Sequence, residues 1–216
     1  MLDEVCKRPE GVVFETKSGL VVIKARVVVD CTGDGDLAAR AGPPFEVGRE
    51  SDNLVQPMTL MFRMVEFERA AFLRRYVPGF ERAYVAQSGV HTGVRETRKI
   101  IGDYQLTAAD VLDARKFDDV ITRGAYPIDI DNPAGSGTIL QRLPPGEVYD
   151  IPLRCLLPHG VDGFVMAGRC ISGTHEAHSS YRVMPMAMAM GQAAGVCAAL
   201  MARAGKTPRD MPVADV

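Results

Sequence analysis

The stretch "VVVDCTGDGDLAARAG", from Val27 to Gly42, constrains the fold more than any other in the chain. Ala25–Cys31 is a continuous β-branched run, the pattern of a strand covered on both faces, as in a parallel sheet. It ends in Gly33-x-Gly35-x-x-Ala38 and continues into a short helix over Asp36–Ala41, closed by Gly42-Pro43-Pro44. That spacing is the spacing of a dinucleotide-binding turn, with Ala allowed at the third place. A phosphate cradle, however, offers backbone N–H groups and the positive end of a helix to an anion. Asp34 and Asp36 oppose that, and Gly42–Asp52 reads as loop where a second strand with a ribose-binding acid would follow. The turn is therefore expected to join strand to helix, with Asp34 or Asp36 as the cap. A nicotinamide-dependent dehydrogenase built on Gly33–Ala38 is the runner-up.

The other end of the chain repeats the arrangement. The apolar run Gly163–Ala167 meets the small turn Ala167-Gly168-Arg169, then the polar "GTHEAHSSYRVM", then a long helix beginning at Pro185. Val183–Ala202 has the length of a bilayer span and no charge. Its apolar content is mostly Ala, Gly and Met, it carries Gln192, and the residues that favour insertion are nearly absent, so it is expected in a protein interior. Gly191 and Gly195, with Ala187 and Ala194, make one side of that helix smooth enough for backbone or a flat ligand to approach. Its amino end offers unpaired N–H donors and roughly half a positive charge, which suits an electron-rich carbonyl edge.

Between these ends, Val12–Thr16 and Leu20–Lys24 alternate around a turn at Lys17–Gly19, a hairpin. Gln56–Glu66 has β-rich character, Phe67–Tyr76 has helical spacing, and Thr97–Gln105 reads as a strand. Thr107 with Asp110 is a capping box that opens a helix through Phe117, and Asp118–Arg123 reads as its continuation. "AYPIDID" reads as a strand, and Asn132–Glu147 as a loop. The expected organisation is one parallel sheet shared by residues 1–50 and 150–216, with 51–149 inserted as a second, α+β domain. A formal net charge of −2 gives no reason to expect nucleic acid or an anionic membrane as partner. Five scattered cysteines without a C-x-x-C pair argue against a disulfide framework or a zinc or iron–sulfur set and fit a reducing cytosol. The N-terminus has no apolar core of signal-peptide length, so a cytoplasmic protein is expected.

Two polar clusters remain. His175 and His178 stand at i, i+3, which is not the H-E-x-x-H zinc spacing, and no third ligand accompanies them; no metal is expected, and a loop position is their ordinary reading. "HTGVRETRK" contains His91, Arg95, Glu96 and Arg98, with Glu96 and Arg98 on one face at strand spacing. A solvated charge run is the ordinary reading. The functional one makes Arg95 or Arg98 a clamp for an acidic small-molecule substrate, since Arg binds carboxylates bidentately. Cys31 and Cys170 read as buried small hydrophobes.

Taken together, "VVVDCTGDGDLAARAG", "QPMTLMFRM", "VRETRKIIGDYQLTAADVL", "YPIDI", "YDIPLRCLLP" and "GFVMAGRCISGTHEAHSSYRVMPMAMAMGQAAG" resemble the C-terminal part of FAD-dependent oxidoreductases of the glutathione-reductase-like superfamily. The resemblance implies an α/β fold, a partial FAD/NAD(P)-binding domain with an inserted substrate domain. It implies FAD as cofactor and hydride transfer between a small-molecule substrate and flavin N5. It places Cys31-Thr32-Gly33 and Asp34 at a sheet turn beside FAD and Gly168-Arg169 at a second. Arg169 stands where the family has an acid and suits a phosphate. Arg182-Val183-Met184 would lie against the isoalloxazine, and His175 would line the flavin cavity and take a substrate proton. The family's opening glycine loop has no counterpart before Ala25. The chain is accordingly expected to be a fragment that holds FAD poorly, with a non-catalytic structural module as a further alternative.

Overall fold

The computed structural model of the chain describes residues 8–59, 62–65, 75–79, 81, 84–210 and 212. They divide into two compact units, Met1–Gln56 with Glu96–Val216, and Pro57–Arg95. In the smaller unit, strands at Phe62–Val65 and Tyr84–Ser88 pair antiparallel, and Thr59 bridges Gly93. The expected helix at Phe67–Tyr76 lies mostly outside the described residues; Arg75 and Tyr76 are helical.

The larger unit is organised around one parallel pair. In chain order its strands are β1 (Gly11–Thr16), β2 (Gly19–Lys24), β3 (Val28–Asp30), β4 (Phe45–Val47), β5 (Arg98–Ile100), β6 (Val120–Gly124), β7 (Ile128–Asp131), β8 (Thr138–Gln141), β9 (Tyr149–Pro152) and β10 (Phe164–Met166). Its helices are α1 (Asp36–Ala41), α2 (Ala108–Leu112), α3 (His175–Tyr181) and α4 (Met184–Ala204). β3 and β10 run parallel with Val28 opposite Phe164, Val29 opposite Val165 and Asp30 opposite Met166. The two ends of the sequence thus share a sheet. The other pairs, β1–β2, β4–β5, β6–β9 and β7–β8, are antiparallel. A single apolar cluster joins Val28, Ile100, Val111, Ile151, Phe164, Val165, Ala177 and Met190. Residues 96–149, grouped by composition with the middle of the chain, contribute several members of this core.

Several elements follow from local chemistry. The capping box is formed: Thr107 accepts from the Asp110 N–H, and Asp110 accepts from the Thr107 N–H. The helix it opens stops at Leu112, well short of Phe117, where Ala114 turns to φ 51°. Asp118–Arg123 does not continue that helix. Val120–Gly124 is strand β6, because pairing with the buried β9 outweighs weak local preference. Likewise Thr138–Gln141 is a strand inside the expected loop, held by β7. The "THEAH" run is helical, not loop, with Thr174 as its cap.

α4 spans 21 residues and ends at Gly205, φ 66°. By length and composition it could cross a bilayer, and 28 % of its most apolar stretch is buried. The expected interior position therefore holds for one side only. Met190, Ala194, Cys197 and Met201 are buried, whereas Met184 and Met188 are 80 % and 76 % exposed. Gly191 and Gly195 lie on the open side, and Ala194 does not.

The joint between β3 and α1 rests on Asp30, which is fully buried. Its Oδ1 accepts from Thr32 N (2.9 Å) and Thr32 Oγ1 (2.7 Å), and its Oδ2 from Ala38 N (2.8 Å). Asp30→Ala removes the acceptor from two N–H groups of the turn and is expected to lower the unfolding free energy by about 2–5 kcal/mol. Asp30→Asn should fall between it and the wild type. Urea unfolding measures both, and a loss below about 1 kcal/mol in the Ala variant contradicts this account.

Candidate cofactor site and its buried polar cluster

The two turns that leave the carboxyl ends of β3 and β10 touch. Arg169 Nη2 donates to Asp34 Oδ1 at 2.5 Å, and Thr97 Oγ1 donates to the same oxygen at 2.8 Å. Arg98 Nη1 reaches Asp36 Oδ1 at 2.7 Å and the Asp34 carbonyl at 3.2 Å. Gly33, at φ 82°, passes so close that a Cβ would stand 3.0 Å from the Arg169 guanidinium. The acids of the glycine-rich turn are therefore struts between turns. Neither caps α1: its N-cap is Gly35, and its first N–H groups are taken by Thr32 Oγ1 (from Asp36) and by Asp30 (from Ala38). A nicotinamide phosphate at Gly33–Ala38 would meet carboxylates and occupied donors. The neighbouring cleft, about 390 Å³, is lined by Asp34, Asp36, Glu96, Thr97 and Arg98 with Val47 and Val55, and the cation in that lining, Arg98, is already paired with Asp36.

α4 runs opposite to the parallel pair. Arg26, just before β3, donates to the carbonyl of Ala202 near the end of α4 at 3.0 Å, and α4 packs on β3 and β10. Its amino end consequently lies toward the end of the sheet where the two turns emerge. No side chain caps that end; Val183 is its N-cap and Pro185 sits in its first turn. Arg182 Nη2, immediately before it, donates to Gln56 Oε1 at 3.3 Å, and the Gln56 N–H donates to Glu96 beside Thr97. A chain of polar contacts thus links the α4 amino end to the Asp34 turn.

At its centre lies a cluster that the sequence did not disclose. Glu96, Lys99, His175 and His178 are all buried, His175 being 5 % exposed. Lys99 Nζ donates to Glu96 Oε1 at 2.7 Å and to the Gly48 carbonyl at 2.8 Å. Gln56 N donates to Glu96 Oε2 at 2.9 Å, and His175 Nδ1 lies 2.9 Å from the carboxylate. Burial pushes the Glu96 carboxyl up, but hydrogen bonds from His175 and Lys99, with the charges around it, outweigh burial and hold it at about 2. His178, one turn on in α3, has both ring nitrogens buried without a hydrogen bond. Burial, reinforced by Lys99 and Arg182 and opposed by Glu96, pushes it down to about 3, so it stays neutral.

The expected sites are distributed as follows. Thr32, Gly33, Asp34, Gly168 and Arg169 meet at the turns; Arg182, Val183 and Met184 stand at the amino end of α4; His175 sits in the buried cluster. Both histidines are core groups of a helix, correcting the loop reading. Arg98, expected to clamp an anion, is engaged by the acidic turn. Arg95 and His91 belong to the smaller unit. Cys31 is exposed, contrary to expectation, whereas Cys155, Cys170 and Cys197 are buried. Partial shielding of its sulfur from water, with the Asp30 carboxylate nearby, pushes the Cys31 thiol up, which leaves it a weak nucleophile. Glu96 escaped detection because strand alternation starts only at Arg98, so the face it shared with Arg98 on paper does not exist.

These features define an α/β domain that presents polar turns and a helix amino end at the carboxyl ends of parallel strands, the usual place for a cofactor. The chain belongs to the FAD dependent oxidoreductase family, whose model matches residues 2–72 and 66–216. No curated protein and no solved structure matches it. Its cofactor is FAD, and its function is flavin-dependent redox chemistry. The residues fit such a group. Gly168, at φ 91°, leaves open the space a Cβ would fill, and the uncapped amino end of α4 offers N–H donors at the same end of the sheet.

Two measurements check the cluster. Lys99→Met leaves a buried carboxylate without its cation and should destabilise the protein by about 3–5 kcal/mol in denaturant unfolding. His178 is neutral when folded and takes a proton near 6.5 when unfolded, so the unfolded state binds more protons between pH 6.5 and about 3. Stability should fall as pH drops below 6.5, by up to about 1.4 kcal/mol per pH unit from this group. His178→Leu should flatten the thermal-midpoint profile between pH 6.5 and 4.5, before the Glu96 carboxyl begins to contribute. An equally steep profile in that variant contradicts the assignment.

Proposed function

We propose that the protein moves a hydride between a carbon of a small-molecule substrate and N5 of FAD. The residues at the two turns, Cys31, Thr32, Gly33, Asp34, Gly168 and Arg169, hold the cofactor in a domain of glutathione-reductase-like form. Arg182, Val183 and Met184 lie against its ring, with the α4 N–H groups facing the electron-rich pyrimidine edge. Bound FAD supplies the redox step, accepting or giving the electron pair with its hydrogen at N5. His175 handles the proton: as a substrate C–H bond breaks, the neighbouring O–H or N–H releases its proton to the imidazole, and the reverse applies on reduction. Burial of His175 beside an ionised carboxylate suits it to that exchange.

One observation carries this reading: the Arg169–Asp34 contact joins the two turns at the end of the sheet toward which α4 points its uncapped amino end. Anaerobic mixing of the FAD-supplemented chain with panels of small alcohols, amines and hydroxy acids tests it through bleaching of the flavin absorbance. His175→Asn should slow bleaching by about 100-fold or more while flavin affinity changes little. No bleaching by any such donor, or full activity in the variant, argues against it.

Flavin placement has a separate test. Met184 is 80 % exposed at the first turn of α4, so Met184→Glu should leave the fold intact or favour it slightly through the helix dipole. The same acid would face the flavin carbonyl edge, and FAD binding by fluorescence titration should weaken about tenfold or more. Unchanged binding removes α4 from the flavin site.

A further inference from the structure

Three donors from separate backbone positions converge on the Glu96 carboxylate. Lys99 Nζ approaches one oxygen at 2.7 Å, Gln56 N the other at 2.9 Å, and His175 Nδ1 lies 2.9 Å from each. Lys99 is itself fully buried and tied to the Gly48 carbonyl, so the carboxylate cannot turn without breaking buried bonds. An ionised carboxylate only accepts hydrogen bonds. When neutral, the His175 ring must therefore carry its hydrogen on Nδ1 and present Nε2 as the bare nitrogen. No described residue hydrogen-bonds Nε2.

We propose that Glu96 is the positioning residue for His175, anchored by Lys99 and the Gln56 N–H so that the ring is locked as the Nδ1–H tautomer with Nε2 free to accept a proton. The inference rests on the proton-handling role given to His175 above. Lys99 has a second part in it: its ammonium pairs with the carboxylate at 2.7 Å, so the anchored Glu96–Lys99 pair carries no net charge. The other charged or titratable groups of this neighbourhood are Arg182, the neutral His178 and Asp52, whose carboxyl is held at about 2 chiefly by its hydrogen bonds with Arg49. An arrangement of this kind, in which a carboxylate fixes the tautomer of a histidine base, is the general logic of base activation.

The test is a long-range ¹H–¹⁵N spectrum of the full chain with labelled histidine, with FAD added, at alkaline pH. The chain has four histidines, and the His175 signal is the one lost in His175→Asn. In the wild type it should show the Nδ1–H pattern, favoured about tenfold or more by the hydrogen bond to a charged acceptor. In Glu96→Gln one amide oxygen must serve three donors, so that preference should vanish or reverse to the Nε2–H form. A wild-type spectrum already in the Nε2–H form overturns the proposal, and it does so whether or not the variant folds. An unchanged Nδ1–H pattern in a folded Glu96→Gln protein also overturns it. The tautomer is read without turnover: if His175→Asn bleaches flavin at the wild-type rate while the wild-type ring is Nδ1–H, the proton role fails and the lock stands.

Discussion

The parallel pairing of Val28–Asp30 with Phe164–Met166 is the contact on which the rest depends. It closes a loop of more than a hundred residues and costs correspondingly in chain entropy, though that cost grows only slowly with length. In return it places two turns side by side, one from each end of the chain. Asp30 then fixes the first turn by occupying the N–H groups that a sharp strand-to-helix joint leaves bare. Arg169 fixes the second against the first. Were β3 and β10 to slip by one residue, Asp30 and Val29 would exchange faces and the joint would come apart.

The polar interior follows from that closure. Glu96 comes from the segment entering β5 and Lys99 from β5 itself, His175 and His178 from α3, and Gln56 from the loop after β4. A buried carboxylate is tolerated because each of its oxygens has a donor; a buried lysine because its charge is matched and its Nζ also meets a carbonyl. His178 is tolerated by remaining neutral, packed edge-on to Tyr181. Such a cluster contributes little net stability against an apolar equivalent. Its presence at the end of the sheet where the two turns emerge accords with the proton-handling role proposed for His175.

α4 shows the same division of labour along one element. Its buried side, Met190, Ala194, Cys197 and Met201, packs on the sheet, and its amino end is left uncapped. The small residues that make it look like a smooth rod in the sequence separate into a packed row and an open row at Gly191 and Gly195. Polarity alone does not distinguish these rows, because the helix is apolar all round.

By itself the sequence determined the elements whose signals are local: the hairpin around Lys17–Gly19, the strand and short helix flanking Gly33–Gly35, the capping box at Thr107 and the long Pro-led helix. It also carried the family pattern that identifies FAD as the cofactor. Tertiary structure decided where neighbours outweigh local preference. Val120–Gly124 and Thr138–Gln141 became strands because β9 and β7 offered them partners, and Asp34 became a strut because Arg169 came within reach. The Glu96–Lys99–His175 cluster was illegible for the same reason: its members stand up to 79 positions apart in the chain. Burial and pairing are properties of the closed fold, and no periodicity within one segment encodes them.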